Sequence, residues 1–485
     1  MGSGILQLAA FGEQDKYLTG NPQMTYFKMV YRRHTNFAIE PLLLDVNTTI
    51  DFGSSNVNSN TIFTTIKKNG DLVGNIYLEV LVRGKGNEGQ FTVNHFGNSF
   101  LKEVKIMIGD AVIDTHNSQW LQISRELYSS HTEKNETYRE VSTGPKGGKN
   151  IPDVVPGIGF GNQYWSYDMN HIDVMSRTVG DCPLVFGGTK HLDGLKVGQA
   201  STGFAYDTYY RKKIYIPLQF WFNRYPGLAL PLIALGNQDV KLAFKFESRD
   251  NLRGNLSNTE TALKIESVNI YADYYYLDKT EKELFKTKAH EYLIEQVQTI
   301  QTQTEISLKN GSTTESNEIN YFLNNLQHPV KYLTWVITNP GVNGSNKGQG
   351  PCYFVSLCSN SQHGNDGNDG SVILKFANVD RFPQRPMSYF TRLLPSKYCN
   401  GCMPDLDRIG LYSFAMNPFD IQPSGTLNFS KIQTDKMLRI STANINMSDI
   451  YFDDSNNEVK KDLFIFGVNY NILRIEGGYG GLLFI

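Results

Sequence analysis

The segment GNIYLEVLV, residues Gly74–Val82, places aliphatic side chains at every second position. A period of two indicates a β-strand with one buried face. Similar apolar or alternating runs, bounded by Gly, Asn or Asp, recur throughout the chain, so the sequence predicts a protein built mainly of strands. The other runs are Thr61–Ile66, Leu101–Ile108, Lys213–Phe222, Val240–Phe246, Lys264–Tyr276, His290–Ile300, Val330–Thr338, Tyr353–Leu357, Ser371–Phe376, Leu411–Met416, Gly425–Phe429, Met437–Ile440 and Leu463–Ile475.

Two helices are predicted to interrupt the strands. The first spans Ser118–Ser129 and should direct Leu121, Leu127 and Tyr128 inward. The second, Asp278–Lys288, begins with Asp278 and has Glu281 three residues later, a spacing that resembles a capping box. We expect this second helix to connect two domains, because the strand pattern resumes directly after it.

The N-terminal segment is expected to differ from the rest. Residues 1–20 are small, Gly-containing and mildly apolar, as in an extended arm. Asn21 suits the N-cap of a following helix and Pro22 suits its first turn. In such a helix Tyr26, Phe27, Val30 and Tyr31 would share one face.

The order of the predicted elements favours antiparallel β-sandwiches. A chain of 485 residues exceeds one ordinary core, which makes two domains the natural expectation. Spaced strands with long connections, without regularly alternating helices, are typical of sandwiches, and the eight-stranded jelly roll is one such architecture. The pattern alone does not choose among sandwich types. The long polar stretches 138–207 and 339–370 are expected to be exposed loops.

Composition excludes several classes of function. The chain has 46 basic and 48 acidic residues, so it lacks the basic excess of a general nucleic-acid coat. Five cysteines are too few for a disulfide scaffold and fit a reducing compartment. The N-terminus lacks the features of a signal peptide, and the longest apolar stretch, Leu228–Leu235, is too short to span a bilayer. We therefore expect a soluble protein without its own membrane anchor.

No motif for catalysis or cofactor binding is apparent. The sequence contains no GxxxxGK[ST], GxSxG or HExxH pattern, and we predict no catalytic, cofactor-binding or metal residues. Cys399 and Cys402 form a CxxC, and Cys352 and Cys358 precede it. Four thiolates could bind zinc or form disulfides, although the first pair is wider than the usual zinc spacing, and unmodified thiols are favoured.

Seven N-x-[ST] sequons occur in this Asn-rich chain. Because no secretory signal is visible, most are expected to be unmodified. Asn255, Asn310 and Asn343 are the candidates for glycosylation.

Five long segments carry a resemblance to a known family. They are YLTGNPQMTYFKMVYRRHTNFA (Tyr17–Ala38), IPLQFWFNRYPGLALPLIAL (Ile216–Leu235), YYYLDKTEKELFKTKAHEYLIEQVQ (Tyr274–Gln298), QPSGTLNFSKIQTDKMLRI (Gln422–Ile440) and VNYNILRIEGGYGGLLF (Val468–Phe484). Together they resemble the major capsid proteins of nucleocytoplasmic large DNA viruses, such as those of chlorella viruses and iridoviruses. The resemblance spans nearly the whole chain, whereas the loops 138–207 and 339–370 match nothing definite.

The resemblance implies a fold and its division. The fold would be an all-β double jelly roll: two consecutive antiparallel eight-stranded sandwiches with short helices and long surface loops. Residues 1–24 would be an N-terminal arm, 25–283 the first jelly roll and 284–485 the second.

The resemblance also implies a structural role. Three copies would form a pseudo-hexameric capsomer, and such capsomers would tile a large icosahedral virion shell assembled in the host cytoplasm. Partners would be further copies, minor capsid proteins, a penton protein and, through the arm, an internal membrane. No direct genome binding is expected.

Two other readings of the residues remain open at this point. A carbohydrate-binding β-sandwich, such as a viral spike or lectin, could use aromatic side chains in exposed loops. A β-sandwich hydrolase is less favoured, because no convergent acid, base or nucleophile is visible in the sequence.

Overall fold

A computed structural model of the chain describes residues 3–46, 61–84, 96–128, 210–252, 263–304, 318–338, 350–352, 354, 370–377, 379–399, 408–441 and 461–484. The chain divides into two compact units, Met1–Phe37 and Ala38–Ile485. Within the described residues no helix is both long and apolar enough to cross a membrane.

The N-terminal unit contains two short helices, α1 (Ser3–Ala9) and α2 (Lys16–Thr19). The helix predicted from Asn21 is absent, so that prediction was wrong. Asn21 has a φ of 49°, a left-handed conformation, whereas an N-cap needs extended backbone. Short helices are marginal unless they pack an apolar face, and Tyr26, Phe27, Val30 and Tyr31 are all at least 81% exposed.

Nine strands between residues 37 and 277 form two antiparallel sheets. One has the order β1-β9-β3-β6, with β7 beside β3, and the other has the order β2-β8-β4-β5. The strands are β1 (Phe37–Leu44), β2 (Thr61–Ile66), β3 (Leu72–Gly84), β4 (Leu101–Ile108), β5 (Ala111–Asn117), β6 (Tyr210–Pro217), β7 (Leu230–Pro231), β8 (Val240–Phe246) and β9 (Leu263–Leu277). We call these two sheets the first sandwich.

Eleven strands between residues 290 and 482 repeat the same arrangement. Their sheets have the orders β10-β19-β12-β16 and β11-β18-β13-β14, with the short strands β15, β17 and β20 added at β13, β12 and β19. The strands are β10 (His290–Thr304), β11 (Glu318–Phe322), β12 (Pro329–Thr338), β13 (Ser371–Phe376), β14 (Val379–Asp380), β15 (Arg385–Pro386), β16 (Gly410–Ser413), β17 (Leu427–Asn428), β18 (Lys436–Ser441), β19 (Lys461–Glu476) and β20 (Tyr479–Leu482). We call these sheets the second sandwich.

The shared strand order is that of the jelly roll, so the chain is a double jelly roll, as the resemblance implies. The remaining helices are short: α3 (Phe96–Phe100), α4 (Ser118–Tyr128), α5 (Trp221–Arg224), α6 (Arg249–Leu252), α7 (Lys279–Thr287) and α8 (Leu394–Tyr398). A π-helical turn, Tyr389–Leu393, precedes α8.

Most of the predicted elements are present. The bounds of β2, β4, β8 and β13 match the predicted runs, and α4 and α7 occupy the predicted helical segments. The Asp278 side chain accepts a hydrogen bond from the Glu281 amide at 2.8 Å, as the proposed cap requires. The run Lys213–Phe222 was predicted too long, because the strand ends at Pro217 and Trp221 begins α5.

Apolar side chains of alternate strand positions fill the two cores. In β3, Ile76, Leu78, Val80 and Val82 are fully buried in the first sandwich. In β12, Leu333, Trp335 and Ile337 occupy the second. Residues between these positions point to the outer face of each sheet, and these outer faces are central to the sites described below.

The long connections of each sandwich join strand ends on one side. The pairs Gly84–Tyr210 and Gly84–Leu263 place the end of β3 beside the starts of β6 and β9. In the second sandwich, Thr338 at the end of β12 pairs with Asp462 at the start of β19. We call this side, where the connections include 118–209 and 339–370, the loop end, and the opposite side the turn end.

A glycine in β16 allows the central tryptophan of the second core to fit. Gly410 pairs with Trp335 across β16 and β12, and a Cβ at Gly410 would lie 2.2 Å from the indole ring. The ring is fully buried and cannot withdraw. Gly227, in contrast, has no heavy atom within 4 Å of the corresponding position.

We therefore expect Gly410→Ala to lower the free energy of unfolding by about 3 kcal/mol, through overpacking. Urea unfolding followed by tryptophan fluorescence measures this change. Gly227→Ala is the matched control and should change stability by well under about 1 kcal/mol. Equal stability of the two variants would contradict the packing argument.

Candidate functional site

The predicted site residues are not brought together by the described structure. Cys352 and Cys399 are both buried, unpaired thiols, and burial raises the pKa of the Cys352 thiol to about 12. Cys358, Cys402 and the three candidate glycosylation residues Asn255, Asn310 and Asn343 lie outside the described residues. Within the described ranges, no group of three or more His, Cys, Asp or Glu residues could hold a metal ion.

The most developed polar and apolar contacts lie where the two sandwiches meet. We call this region the seam. At its loop end, α4 of the first sandwich packs on the outer face of the β10-β19-β12-β16 sheet. Trp120 on α4 meets Phe466 on β19 at 5.6 Å between ring centroids. Ile123 and Leu127 join the same buried cluster, together with Tyr332 and Val336 of β12.

At the turn end, the C-terminal hairpin contacts the first sandwich. The Asn237 amide donates to the Gly478 carbonyl at 3.0 Å, and the Gly480 amide donates to Gln238 Oε1 at 2.7 Å. Gly478 has a φ of 89°, and a Cβ there would lie 2.7 Å from the Asn237 side chain. The glycines of the segment Val468–Phe484 are therefore needed for this close approach.

Between these ends, two sheet edges meet through side chains. The Val297 amide on β10 donates to Asp114 Oδ1 on β5 at 3.1 Å. The Gln296 side chain on β10 donates to the Ile113 carbonyl on β5. These contacts satisfy backbone groups of two edge strands without a continuous ladder. Because α4 and the C-terminal hairpin lie at opposite ends of the seam, the two sandwiches stand side by side with their loop ends in the same direction.

A buried carboxylate joins the two sandwiches at the centre of the seam. Glu295 on β10 accepts a hydrogen bond from Arg224 at the end of α5, with 2.7 Å between Oε2 and Nη2. Its other oxygen pairs with Lys331 on β12, whose side chain is fully buried. One carboxylate from the second sandwich therefore neutralises a cation from each sandwich.

Tyrosine rings enclose this cluster. The Arg224 guanidinium lies 4.8 Å from the centroid of the Tyr128 ring, and Lys331 Nζ lies 5.5 Å from the rings of both Tyr332 and Tyr470. The Tyr128 and Tyr332 hydroxyls are 3.1 Å apart. Rings in these positions stabilise the cations through their faces while excluding water.

The surroundings shift the pKa values of the charged groups. Burial by itself would raise the pKa of the Glu295 carboxyl, but Arg224 and Lys331 outweigh it and hold that pKa below its usual range. Burial lowers the pKa of Lys331 to about 8, against the opposing effect of Glu295. Arg224 keeps its charge, since Glu295 outweighs its burial and raises its pKa.

Sequence reasoning did not identify this cluster. Glu295 stands in the alternating run His290–Ile300, where a carboxylate reads as a solvent-facing strand residue. Lys331 lies next to a register shift between Val330 and Tyr332 in β12, which changes the alternation at this point. The available signal was Lys331 within the apolar run Val330–Thr338.

Two family models cover the sandwiches. Residues 25–278 match the family described as "Major capsid protein N-terminus", and residues 281–481 match "Large eukaryotic DNA virus major capsid protein". The chain belongs to the major capsid protein family of large eukaryotic DNA viruses.

Relatives in this capsid family align over full length. The major capsid protein of Paramecium bursaria Chlorella virus 1 is 32% identical, and that of Pyramimonas orientalis virus is 31% identical; in both cases all of each chain is covered. A chain of a quasi-atomic model of the PBCV-1 virus capsid superimposes with a TM-score of 0.65 at 28% identity, covering 95% of this chain and 100% of that one.

The Faustovirus major capsid protein shares the fold alone. It superimposes with a TM-score of 0.60 at 12% identity, covering 98% of this chain and 96% of that one.

Removing the seam carboxylate should destabilise this capsid protein strongly. Glu295→Gln leaves two buried cations without a counter-charge, so we expect a loss of about 3–5 kcal/mol in the free energy of unfolding. Glu291→Gln is the control on the same strand, because Glu291 is 57% exposed and lies 3.9 Å from Arg474. Urea unfolding measures both variants, and equal stability of the two would contradict the assigned role.

The stabilisation from Glu295 should also depend on pH. The lowered pKa of Glu295 means that the unfolded chain binds a proton more readily than the folded chain. The stabilisation is therefore complete above the usual carboxyl pKa, and it is lost as pH falls through the lower folded pKa. The stability gap between wild type and Glu295→Gln should narrow from pH 7 to pH 3 in urea titrations. A gap that widens on acidification would contradict this sign.

Proposed function

We propose that three copies of this capsid protein form a homotrimeric, pseudo-hexameric capsomer, and that such capsomers tile a large icosahedral virion shell. The observation that carries the proposal is the side-by-side arrangement of two sandwiches with one strand order and with loop ends in the same direction. Each copy then supplies two similar blocks, so that three copies make a six-sided unit.

The proposed division of the chain follows the strand pairing. Residues 1–24 form the arm, 25–283 the first jelly roll and 284–485 the second. In support, the described strands before α7 pair only with one another, as do those after it. We place the boundary within α7 because this helix separates the two sets of sheets.

The proposed role is structural, without catalysis. The titratable groups with the strongest contacts, Arg224, Glu295 and Lys331, are buried in the seam and neutralise one another. Burial of this kind supports a fixed relation between the sandwiches and leaves little access for a substrate.

The orientation in the shell follows from the two ends. The loop end, which carries the long connections, would face outward, and the turn end would face the interior. The arm would lie beneath the shell, near minor capsid proteins and an internal membrane, with a penton protein at the vertices. Assembly would take place in the host cytoplasm.

Light scattering coupled to size exclusion, across a dilution series of purified protein, tests this proposal. We expect a mass three times that of one chain that persists on dilution, because permanent complexes bury large apolar surfaces. Glu291→Gln should behave as wild type. A monomer that stays monomeric when refolded, and that binds glycans on an array, would replace the capsomer with a carbohydrate-binding role.

A further inference from the structure

The two sandwiches differ in how the equivalent sheet face is covered. On the outer face of the second sandwich, Tyr332, Val336 and Phe466 are fully buried beneath α4 and its neighbours. On the outer face of the equivalent first sheet, Tyr77 and Tyr271 remain partly exposed. The covering that the second sheet receives within the chain therefore has no full counterpart on the first among the described residues.

The outer face of the first sheet is aromatic and acidic. The Tyr77 ring stacks on Tyr271 with 5.5 Å between centroids and meets Tyr215 edge-on at 6.1 Å. Glu79 and Asp273 flank the rings on β3 and β9. Tyrosine clusters of this kind are enriched where proteins associate.

The edge strand β1 extends this face with aliphatic side chains. Leu44 is buried in the core, and Leu42 packs against the same core. Ile39 and Leu43, at the alternate positions, therefore point to the outer face, and each is 54% exposed. We call β1 and the outer residues of β3, β6 and β9 the acceptor face.

The counterpart of α4 in the second sandwich is a basic and apolar segment. In the first sandwich α4 lies between β5 and β6; the equivalent place, between β13 and β16, holds residues 379–397. We call these residues the donor strip. Val379 is 68% and Leu393 57% exposed. Four exposed basic residues accompany them: Arg381, Arg385, Arg392 and Lys397.

The donor strip contains a single acidic residue. Asp380 pairs with Lys375 at 3.0 Å, which leaves the strip with a basic surface. Its charge is therefore opposite to that of the acceptor face, and both surfaces also expose aliphatic groups.

We propose that the acceptor face of one copy binds the donor strip of a second copy of this chain. The proposal rests on the proposed capsomer and names the contact that builds it. The contact between copies repeats, with the sandwiches in the next order, the contact that α4 makes across the seam.

Geometry and charge favour a second copy in this head-to-tail arrangement. Within the chain, the α4 side of one sandwich meets the outer sheet of the next, and repeating that step carries the donor strip onto another copy. A head-to-tail contact generates a ring when its rotation closes. A two-fold contact between acceptor faces would instead bring Glu79 and Asp273 against their own copies, which like-charge repulsion disfavours.

Photo-crosslinking tests where the donor strip binds. A benzoylphenylalanine at position 393, in full-length protein mixed from light and isotope-labelled copies, should yield cross-links between copies. We expect these to reach peptides within 38–44, 76–83 or 264–277, and a probe at position 286 on α7 should not reach them. A trimer whose position-393 cross-links reach other surfaces only would overturn this contact while leaving the capsomer intact. A monomeric wild type would overturn the capsomer itself and this contact with it.

Charge reversal gives an independent readout. Asp273→Lys and Arg381→Glu should each raise the protein concentration at which half of the trimer dissociates by at least about tenfold. The double variant should recover part of that loss, and Lys286→Glu should match wild type. Thermal unfolding checks folding, with Asp273→Asn as a milder substitute. Wild-type trimer stability in both folded single variants would overturn the proposal.

Discussion

A jelly-roll sandwich buries the inner faces of its two sheets, but each sheet also has an outer face, and the second sandwich of this chain cannot leave its own exposed. The outer residues of β12 and β19 include Tyr332, Val336 and Phe466, which are too apolar to remain in water. The first sandwich covers them with α4. This single requirement fixes the two sandwiches side by side, and the direction of their loop ends follows from it.

The polar centre of the seam is a consequence of the same packing. Once α4 and α5 cover the second sheet, Arg224 is enclosed, and a buried cation requires a counter-charge. Glu295 supplies it and also neutralises Lys331. Well-packed apolar residues could have filled this space at similar stability, so the gain from a charged cluster lies in orientation: the cations match one carboxylate in one relative position of the sandwiches.

The outer surfaces show the same logic at the next level of organisation. The first sheet presents tyrosines, carboxylates and an aliphatic edge, and the second sandwich presents arginines, a lysine and two exposed aliphatic side chains. A chain that solves the covering of one sheet internally, and carries complementary groups at the equivalent unsolved positions, is suited to assembly with copies of itself. Membership of the capsid family fits this organisation.

The sequence by itself determined the elements that depend on local periodicity. The runs Thr61–Ile66, Leu101–Ile108 and Val240–Phe246 became strands with the predicted bounds, and the Asp278 cap fixed the start of α7. It could not secure the helix after Asn21, because a weak helical pattern needs a packing partner that local sequence does not reveal. The tertiary structure alone decided which sheet face was covered, that Glu295 and Lys331 were buried, and that Arg224 met them, because residues 71 positions apart are brought together only by the packing of complete sandwiches.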